Sequence, residues 1–158
     1  MPATIYLKNY MHVVFECELA VRVGKTFESR AEEYTREEVR AAVVEVMPAF
    51  ELIEDRKADY KSSKAYSLIC DNAWNAGIVL GAPVKVPADL ELNGLNGRLT
   101  TGLDVKTGKT DDPMGALAWI ANLAASRGRP LIPTLPIKAE ETFSFEIDGI
   151  GTVRATGA

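Results

Sequence analysis

Apolar residues occupy every second position in one segment near the start of the chain. All odd positions from Val13 to Val23 are apolar, while Glu16 and Glu18 occupy even positions between them. A period of two predicts a β-strand with the apolar residues on one face and both glutamates on the other, roughly 7 Å apart. If that second face is also covered, the two carboxylates need a cation or a shared proton.

Two other segments carry the period and the capping residues of helices. Thr35 and Glu38 fit a capping box in front of an apolar stripe, which predicts a helix from about Arg36 to Met47. A second helix is predicted from about Pro113 to Arg127, where Asp112 supplies the N-cap. We therefore expect two main helices.

Short apolar runs in the rest of the chain predict strands. Gly77 to Leu80 and Leu90 to Leu92 are strand candidates, and Thr142 to Val153 alternates around Asp148-Gly149 as expected of a hairpin. Two Asn-Gly pairs are predicted to form turns: Asn93-Gly94 and Asn96-Gly97. No repeat or linker divides the sequence, so we expect a single domain over residues 1–158 with an α+β fold on an antiparallel or mixed sheet.

Composition and charge limit the classes of partner. The net charge is -4, and no basic cluster extends beyond the short stretch from Arg56 to Lys64. This balance argues against nucleic acid or an anionic membrane surface as the main partner and leaves small molecules or protein. Cys17 and Cys70 lie far apart without a disulfide framework, and no apolar stretch approaches a membrane span. We expect a cytoplasmic protein.

A third carboxylate follows the first predicted helix. In a strand, Phe50 and Leu52 face one way and Glu51 the other, so Glu51 can join Glu16 and Glu18 across neighbouring strands. Three carboxylates suit a hard divalent cation such as Mg²⁺, which keeps open positions for water or a chelating ligand. The pattern alone equally fits a solvated acidic strand face.

A series of segments runs in order through most of the chain. They are Phe15 to Ala20, Tyr34 to Val39, Pro48 to Arg56, Asp59 to Lys61, Asp71 to Ala73 with Gly77 to Gly81, Asp112-Pro113 with Ala116 to Asn122, and Gly128 to Leu131. This series resembles the 2-keto-4-pentenoate hydratase and 4-oxalocrotonate decarboxylase family, within the fumarylacetoacetate hydrolase superfamily. Each segment is weak alone, whereas the ordered series is specific.

The resemblance implies a fold, a cofactor and a reaction. The fold is a mixed β-roll of the fumarylacetoacetate hydrolase C-terminal-domain type, and the cofactor is Mg²⁺ or Mn²⁺ held by residues that match Glu16, Glu18 and Glu51. The reaction is hydration or decarboxylation of a short unsaturated 2-oxo acid, whose enolate a Lewis acid stabilises. A homo-oligomer, or a complex with a partner subunit, is the expected assembly.

Further site residues follow from the charge balance and the matched segments. Three carboxylates around a divalent cation leave one net negative charge, so an anionic substrate needs a cation, and Lys61 is the candidate for catalysis and substrate binding. A solvated loop lysine is the alternative. Asp71 as a catalytic group and Asn72 as a substrate ligand are predicted to orient ligand or water, or alternatively to cap a short helix. His12 is interpreted as structural rather than as a general base, and Cys17 as a core residue.

Two departures from the family pattern suggest a second function. The chain has fourteen residues before Phe15, where the family carries a longer segment with a Gly-Tyr-Lys-type motif, so that lysine is expected to have no counterpart. After Leu131, the segment Ile132 to Ile137 replaces an expected strand. A shortened domain of this kind could be a non-catalytic or weakly active paralogue that keeps the metal site and acts as a binding or scaffold subunit.

Overall fold

A computed structural model describes residues 2–87, 89–127 and 142–157 of the protein. Its elements in chain order are β1 (Ala3–Ile5), β2 (Val13–Val23), α1 (Arg36–Ala42), β3 (Val43–Glu54), α2 (Ala65–Cys70), β4 (Asn75–Leu80), β5 (Val84–Lys85), β6 (Asn96–Thr101), β7 (Asp104–Lys109), α3 (Pro113–Arg127), β8 (Thr142–Ile147) and β9 (Gly151–Gly157). Short 3-10 turns precede β2 and β4, at Leu7–Asn9 and Asn72–Trp74.

The strands form two sheets. The first has the order β1-β9-β8-β6-β7, in which β1 pairs with β9 in parallel and the other neighbours are antiparallel. The second has the order β2-β3-β4, with β5 paired to β3, and all its pairs are antiparallel. This arrangement of mixed sheets with few helices confirms the predicted α+β fold.

The core lies between the two sheets and is centred on Phe50. The Phe50 side chain is fully buried, with its ring centroid 4.6 Å from that of Phe15 on β2 and 6.4 Å from that of Phe145 on β8. Ile147 and Val153 of the first sheet belong to the same buried cluster. The apolar face of β2 therefore packs inward as its alternation predicts, and the opposite face carries the glutamates.

The first predicted helix is correct at its start and wrong in its second half. The Thr35 hydroxyl accepts from the Glu38 N–H at 3.2 Å, and a Glu38 carboxylate oxygen accepts from the Thr35 N–H at 2.9 Å, which completes the capping box. The helix ends at Ala42, and Val43 begins β3. The valine-rich segment fits a strand better than a helix, and its pairing with both β2 and β5 overrides the helical period.

The second helix and the hairpin are confirmed. Helix α3 has the predicted bounds, and Asp112 Oδ1 accepts from the Gly115 N–H at 3.0 Å. Strands β8 and β9 form the predicted hairpin, in which Gly149 has a φ of +75° that favours glycine. Within the described ranges, no helix is long and apolar enough to cross a bilayer.

Two predicted elements are wrong. Leu90 to Leu92 forms no strand, and Leu92 packs into the core as part of an irregular segment. Asn96-Gly97 begins β6 instead of forming a turn, whereas Asn93-Gly94 does lie in a turn with Gly94 at a φ of +76°. The matched segment Gly128 to Leu131 and the segment Ile132 to Ile137 lie outside the described residues.

Candidate active site

Strands β2 and β3 bring the three predicted glutamates onto one sheet face. In the antiparallel register, Glu16 lies directly opposite Glu51, and Glu18 lies opposite Ala49. Residues that are directly opposite share a face, with Cβ atoms about 4.5–5.5 Å apart, and residues two positions apart on one strand share it as well. The strand pairing alone therefore brings the three carboxylates together, although Glu16 and Glu51 are separated by 35 positions in the sequence.

Glu16 and Glu18 share a hydrogen bond between their carboxyl groups. Burial raises the pKa of Glu18 to about 7, and the hydrogen bond with Glu16 and the negative charges of Glu16 and Glu51 add to the increase. Two adjacent carboxyl groups can form such a bond only when one of them carries a proton. The pair therefore holds a proton near neutral pH, which is one of the two solutions that the sequence pattern requires.

Glu51 is the most deeply buried of the three, with 1% of its surface exposed. Burial raises the pKa of Glu51 to about 7; a hydrogen bond from the Asn75 amide to Oε1 opposes this rise, and the charge of Glu16 adds to it. The other oxygen, Oε2, is buried, and no residue within 2–87, 89–127 and 142–157 forms a hydrogen bond with it. A buried acceptor without a partner costs about 1–3 kcal/mol, so this oxygen is the natural position for a ligand.

The donor set suits a divalent cation, but the side chains do not yet surround one point. The buried Glu51 Oε2 and the carboxyl groups of Glu16 and Glu18, once ionised, are oxygen ligands of the kind that Mg²⁺ and Mn²⁺ prefer. In the arrangement described, no group of three or more His, Cys, Asp and Glu residues among residues 2–87, 89–127 and 142–157 is spaced to hold a metal ion. Metal binding therefore requires loss of the shared proton.

Beside Glu18 and Glu51 lies an open cavity of about 1320 Å³. Its lining is mainly apolar and includes Ile78 and Leu80 of β4, which stand opposite Glu51 and Ala49 in the strand register. Trp119 of α3 also lines it and is 63% exposed. An apolar cavity with a few convergent polar groups is the usual form of a small-molecule site.

The predicted accessory residues lie in the segment between β3 and β4. Lys61 is exposed, and its backbone N–H donates to Asp59 Oδ1 at 3.1 Å. Asp71 forms an ion pair with Arg56, which lowers the pKa of the Asp71 carboxyl, and its side chain makes no capping hydrogen bond. The anion-binding role of Lys61 and the catalytic role of Asp71 stay predictions.

Asn72 begins an unusual turn. Asn72, Ala73 and Trp74 have φ values of +48°, +52° and +63°, the left-handed region that favours glycine. Each such residue costs on the order of 1–3 kcal/mol, and strain of this kind concentrates at functional sites. The turn leads directly to Asn75, which contacts Glu51, and it packs Trp74 edge-on against Tyr60 at a centroid distance of 5.3 Å. The substrate-binding role of Asn72 itself stays a prediction.

Sequence reasoning missed two features of this face. Asn75, which holds Glu51, carried no recognisable signal, because its contact depends on the register of β3 with β4. A second polar cluster centres on Asp55, which is 2% exposed and accepts from His12 Nδ1 at 2.5 Å, from the Tyr60 hydroxyl at 2.5 Å and from the Lys57 N–H at 2.8 Å. The burial of Asp55 is known only from the structure, so the sequence offered no signal for this cluster.

Cys17 behaves as the sequence predicts. The residue is half-buried and packs against the core, and burial, followed by the charges of Glu18 and Glu16, raises the pKa of its thiol to about 12. The thiol therefore stays protonated at neutral pH and is a poor nucleophile.

Comparison with characterised proteins supports the family resemblance that the sequence segments suggest. No protein-family model matches the chain. The chain is 30% identical over 155 residues to 2-keto-4-pentenoate hydratase of Paraburkholderia xenovorans strain LB400, covering 88% of this chain and 56% of that protein. It is 35% identical over 131 residues to 4-oxalocrotonate decarboxylase of a Pseudomonas species, covering 80% of this chain and 49% of that protein. The chain thus spans about half the length of the curated relatives it matches.

Solved structures show the same fold. The structure of 4-oxalocrotonate decarboxylase from Pseudomonas putida G7, complexed with magnesium and adipate, superposes with a TM-score of 0.84 at 20% identity, covering 99% of this chain and 65% of that one. The same enzyme complexed with calcium and acetate gives a TM-score of 0.81, also at 20% identity, and covers 99% of this chain and 64% of that one. A fumarylacetoacetate hydrolase family protein from Yersinia pestis CO92 gives 0.68 at 14% identity, covering 99% of this chain and 78% of that one.

Proposed function

Because the chain belongs to the 2-keto-4-pentenoate hydratase and 4-oxalocrotonate decarboxylase family, within the fumarylacetoacetate hydrolase superfamily, we propose that it is a divalent-metal-dependent lyase. Its substrate is a short unsaturated 2-oxo acid, and its reaction is hydration or decarboxylation. The observation that carries this proposal is the apposition of Glu16 and Glu51 across β2 and β3, with a buried oxygen of Glu51 left without a partner.

Glu16, Glu18 and Glu51 are the proposed ligands of Mg²⁺ or Mn²⁺. Support comes from the hard oxygen donors on one sheet face and from the magnesium and calcium complexes of the structurally similar decarboxylase. When bound, the cation supplies a Lewis acid that polarises the keto group of a chelating 2-oxo acid.

Other residues orient a metal ligand or bind the substrate in this proposal. Asn75 occupies Glu51 Oε1 and so leaves Oε2 for the ligand. Ile78 and Leu80 line the cavity beside Glu51, where they accept the hydrocarbon chain and exclude water. Lys61 offsets the net negative charge when the anionic substrate enters, and Asp71 and Asn72 orient substrate or water.

Metal binding is tested by calorimetric titration of Mg²⁺ or Mn²⁺ in the presence of oxalate, a small chelating dianion. Glu51→Gln is expected to weaken binding by at least about tenfold, or about 1.4 kcal/mol. Glu146→Gln is the matched control, because Glu146 is exposed on the other sheet and pairs with Arg98. Binding that is absent in the wild type, or unchanged by Glu51→Gln, contradicts the metal site.

Turnover is tested with 2-hydroxypenta-2,4-dienoate, followed by its ultraviolet absorbance, and with related 2-oxo acids. The proposal requires loss of the substrate signal that depends on the added metal and is abolished by Glu51→Gln. Tight metal binding without turnover on any of these acids favours the second candidate function.

That second candidate is a metal-binding subunit without turnover of its own. The exposed position of Lys61 supports it, because a solvated lysine would leave the anionic substrate without a fixed cation. For both candidate functions we propose a homo-oligomer or a complex with a partner subunit. Light scattering coupled to size-exclusion chromatography measures the molar mass and so tests this assembly.

A further inference from the structure

We propose that the substrate carries an apolar tail beyond its short unsaturated 2-oxo acid head. The tail follows the cavity around the edge of β2 that faces away from β3 and enters the space between the two sheets. The inference rests on the proposed function and adds to it a class of substrate and a binding site for the tail.

The cavity extends far beyond the carboxylates. Glu18 and Glu51 line it, and so does every residue of β2 from Cys17 to Val23. At roughly 3.3 Å per residue this stretch of strand is about 20 Å long. A five-carbon chain spans only about 5 Å, since its C–C bonds are about 1.5 Å long. A short acid held at the carboxylates therefore leaves most of this length unoccupied.

The cavity reaches both faces of β2. Glu18 and Ala20 line it from the carboxylate face. Leu19 and Val21 line it from the opposite face, where they pack against the core between the sheets. Among the described strands, β2 pairs with β3 alone, so no described strand separates the two parts of the cavity at the other edge. The cavity therefore continues around this edge into the space between the sheets.

The part of the cavity between the sheets has apolar walls. Leu95 and Leu99 line it from the first sheet and Leu117 lines it from α3, and these side chains pack against the core but stay partly exposed. Phe145 and Ile147 of β8 are buried and line it as well. Apolar walls of this kind gain free energy when a hydrocarbon group replaces the water beside them. They therefore favour a hydrocarbon tail.

The charged residues of the lining do not form a fixed site for a second carboxylate. Lys106 and Lys109 of β7 line the cavity, and both are exposed. An exposed lysine keeps its ammonium group in water and presents its methylene groups to apolar neighbours. Arg22 also lines the cavity, but it forms an ion pair with Glu45. A tail that ends in a methyl group therefore suits this lining better than one that ends in a carboxylate.

Gly108 is a position from which the tail site can be filled. It lies opposite Gly97, which lies opposite Ile147 on the next strand, so all three share the face of the sheet that packs on the core. Gly108 lines the cavity, and a Cβ atom there would meet nothing within 4 Å. The side chain introduced by Gly108→Leu is therefore expected to enter the cavity without displacing the core.

The affinities of saturated 2-oxo acids of different length test the tail. With Mg²⁺ present, calorimetry is expected to show that 2-oxooctanoate binds at least about tenfold more tightly than 2-oxobutanoate, because each fully buried methylene contributes about fourfold. The acid 2-oxooctanedioate has the same chain with a terminal carboxylate and is expected to bind less tightly than 2-oxooctanoate. Equal affinities of the short and long acids, or tighter binding of the dioate, overturn the apolar tail.

Gly108→Leu tests where the tail lies. This variant is expected to weaken 2-oxooctanoate binding by about tenfold and to leave the affinity for Mg²⁺-oxalate unchanged, because oxalate has no tail. Val105→Leu is the matched control on the same strand, since Val105 is 57% exposed and is not among the described residues that line the cavity. Unchanged affinity of Gly108→Leu for 2-oxooctanoate overturns the placement of the tail.

Trp119→Ala keeps this test decisive if Gly108→Leu lowers the Tm. Trp119 lines the cavity and is 63% exposed, so its truncation is expected to weaken 2-oxooctanoate binding by about fivefold with little effect on folding. Light scattering covers the other occupant of the space, a second copy of the chain. A lower molar mass of Gly108→Leu with unchanged 2-oxooctanoate affinity would assign the space to that copy and overturn the proposal.

Two outcomes separate failure of this inference from failure of the proposed function. A wild-type protein that binds neither Mg²⁺ nor oxalate refutes the proposed metal site, and the inference with it. A wild-type protein that binds Mg²⁺-oxalate, with no preference for 2-oxooctanoate over 2-oxobutanoate, overturns the tail site alone and leaves the proposed function intact.

Discussion

The amide of Asn75 donates a hydrogen bond to Oε1 of Glu51, while Oε2 of the same carboxylate is buried and has no partner in the part of the chain that the structure describes. One neighbour therefore decides which oxygen remains for a ligand. Asn75→Ala is expected to remove the interaction that lowers the pKa of Glu51, so a larger fraction of Glu51 is protonated near pH 7. Calorimetry should show Mg²⁺-oxalate affinity lower by about 10–100-fold, the usual effect of losing a partner of a metal ligand. Asn96→Ala on β6 is the control, and equal affinities in all three proteins would contradict the role of Asn75.

Metal binding should depend steeply on pH near neutrality. Glu18 and Glu51 have pKa values of about 7 in the metal-free protein. Below that pH the cation must displace their protons, so affinity is expected to rise with pH through 7 and to level off above it. Titrations in buffers of different ionisation enthalpy count the protons released. Release that is the same in Glu51→Gln and in the wild type would argue against Glu51 as a ligand.

Stability at acid pH should depend on Asp55. Its pKa is lower in the folded protein than the ordinary value of 3.8. A lowered carboxyl pKa contributes stability that is present above the unfolded value and is lost as pH falls through the folded one. The free energy of unfolding of Asp55→Asn should therefore lie furthest below that of the wild type near neutral pH, and the difference should shrink below about pH 4. Urea denaturation across pH measures it, and a difference independent of pH would mean that packing, not charge, is lost.

Phe50 packs between the two sheets, and its truncation is expected to lower the free energy of unfolding strongly. Its ring is fully buried between Phe15 and Phe145, so Phe50→Ala is expected to destabilise the protein by about 3–5 kcal/mol. Tyr66→Ala, at a side chain that is 69% exposed, should change stability by less than about 0.5 kcal/mol. Urea denaturation of both variants tests the contrast, which a small effect at Phe50 would refute.

Two glycines that face each other across β6 and β7 provide a matched test of close packing. Gly97 and Gly108 are register partners, but a Cβ at Gly97 would lie 2.6 Å from the Phe145 ring, whereas one at Gly108 meets nothing within 4 Å. Gly97→Ala is therefore expected to cost about 1–3 kcal/mol through displacement of the ring. Gly108→Ala should be neutral or slightly stabilising. Equal thermal stabilities of the two variants would contradict the close contact.

Local patterns predicted much of the fold, because several of its elements depend on neighbours in sequence. The alternation from Val13 to Val23 and the capping residues of α1 and α3 are signals of this kind, and the structure follows them. The end of α1 could not be read in the same way. Val43 to Met47 fits a helical stripe, and its strand conformation depends on partners in β2 and β5.

The candidate site also contains some features that local sequence predicts and others that depend on distant partners. Glu16, Glu18 and Glu51 could be grouped from strand periodicity, because opposite faces alternate in a regular way. The contacts of His12 with Asp55 and of Asn75 with Glu51 span 43 and 24 residues and depend on register, which one sequence does not specify. Gly97 shows the same limit, since its need for glycine comes from the distant ring of Phe145.

The parallel pairing of β1 with β9 has a consequence for how the protein forms on the ribosome. Ala3 pairs with Ala155, so β1 must wait for a strand that is made about 150 positions later. The five-stranded sheet can be completed only after β9 has left the exit tunnel, whereas β2, β3 and β4 can associate much earlier. Bringing two strands together across such a separation costs about 4 kcal/mol of loop-closure free energy. This cost arises before the contacts between β1 and β9 have formed to offset it. The carboxylate-bearing sheet is therefore expected to assemble first during synthesis, and the other sheet to close around it afterwards.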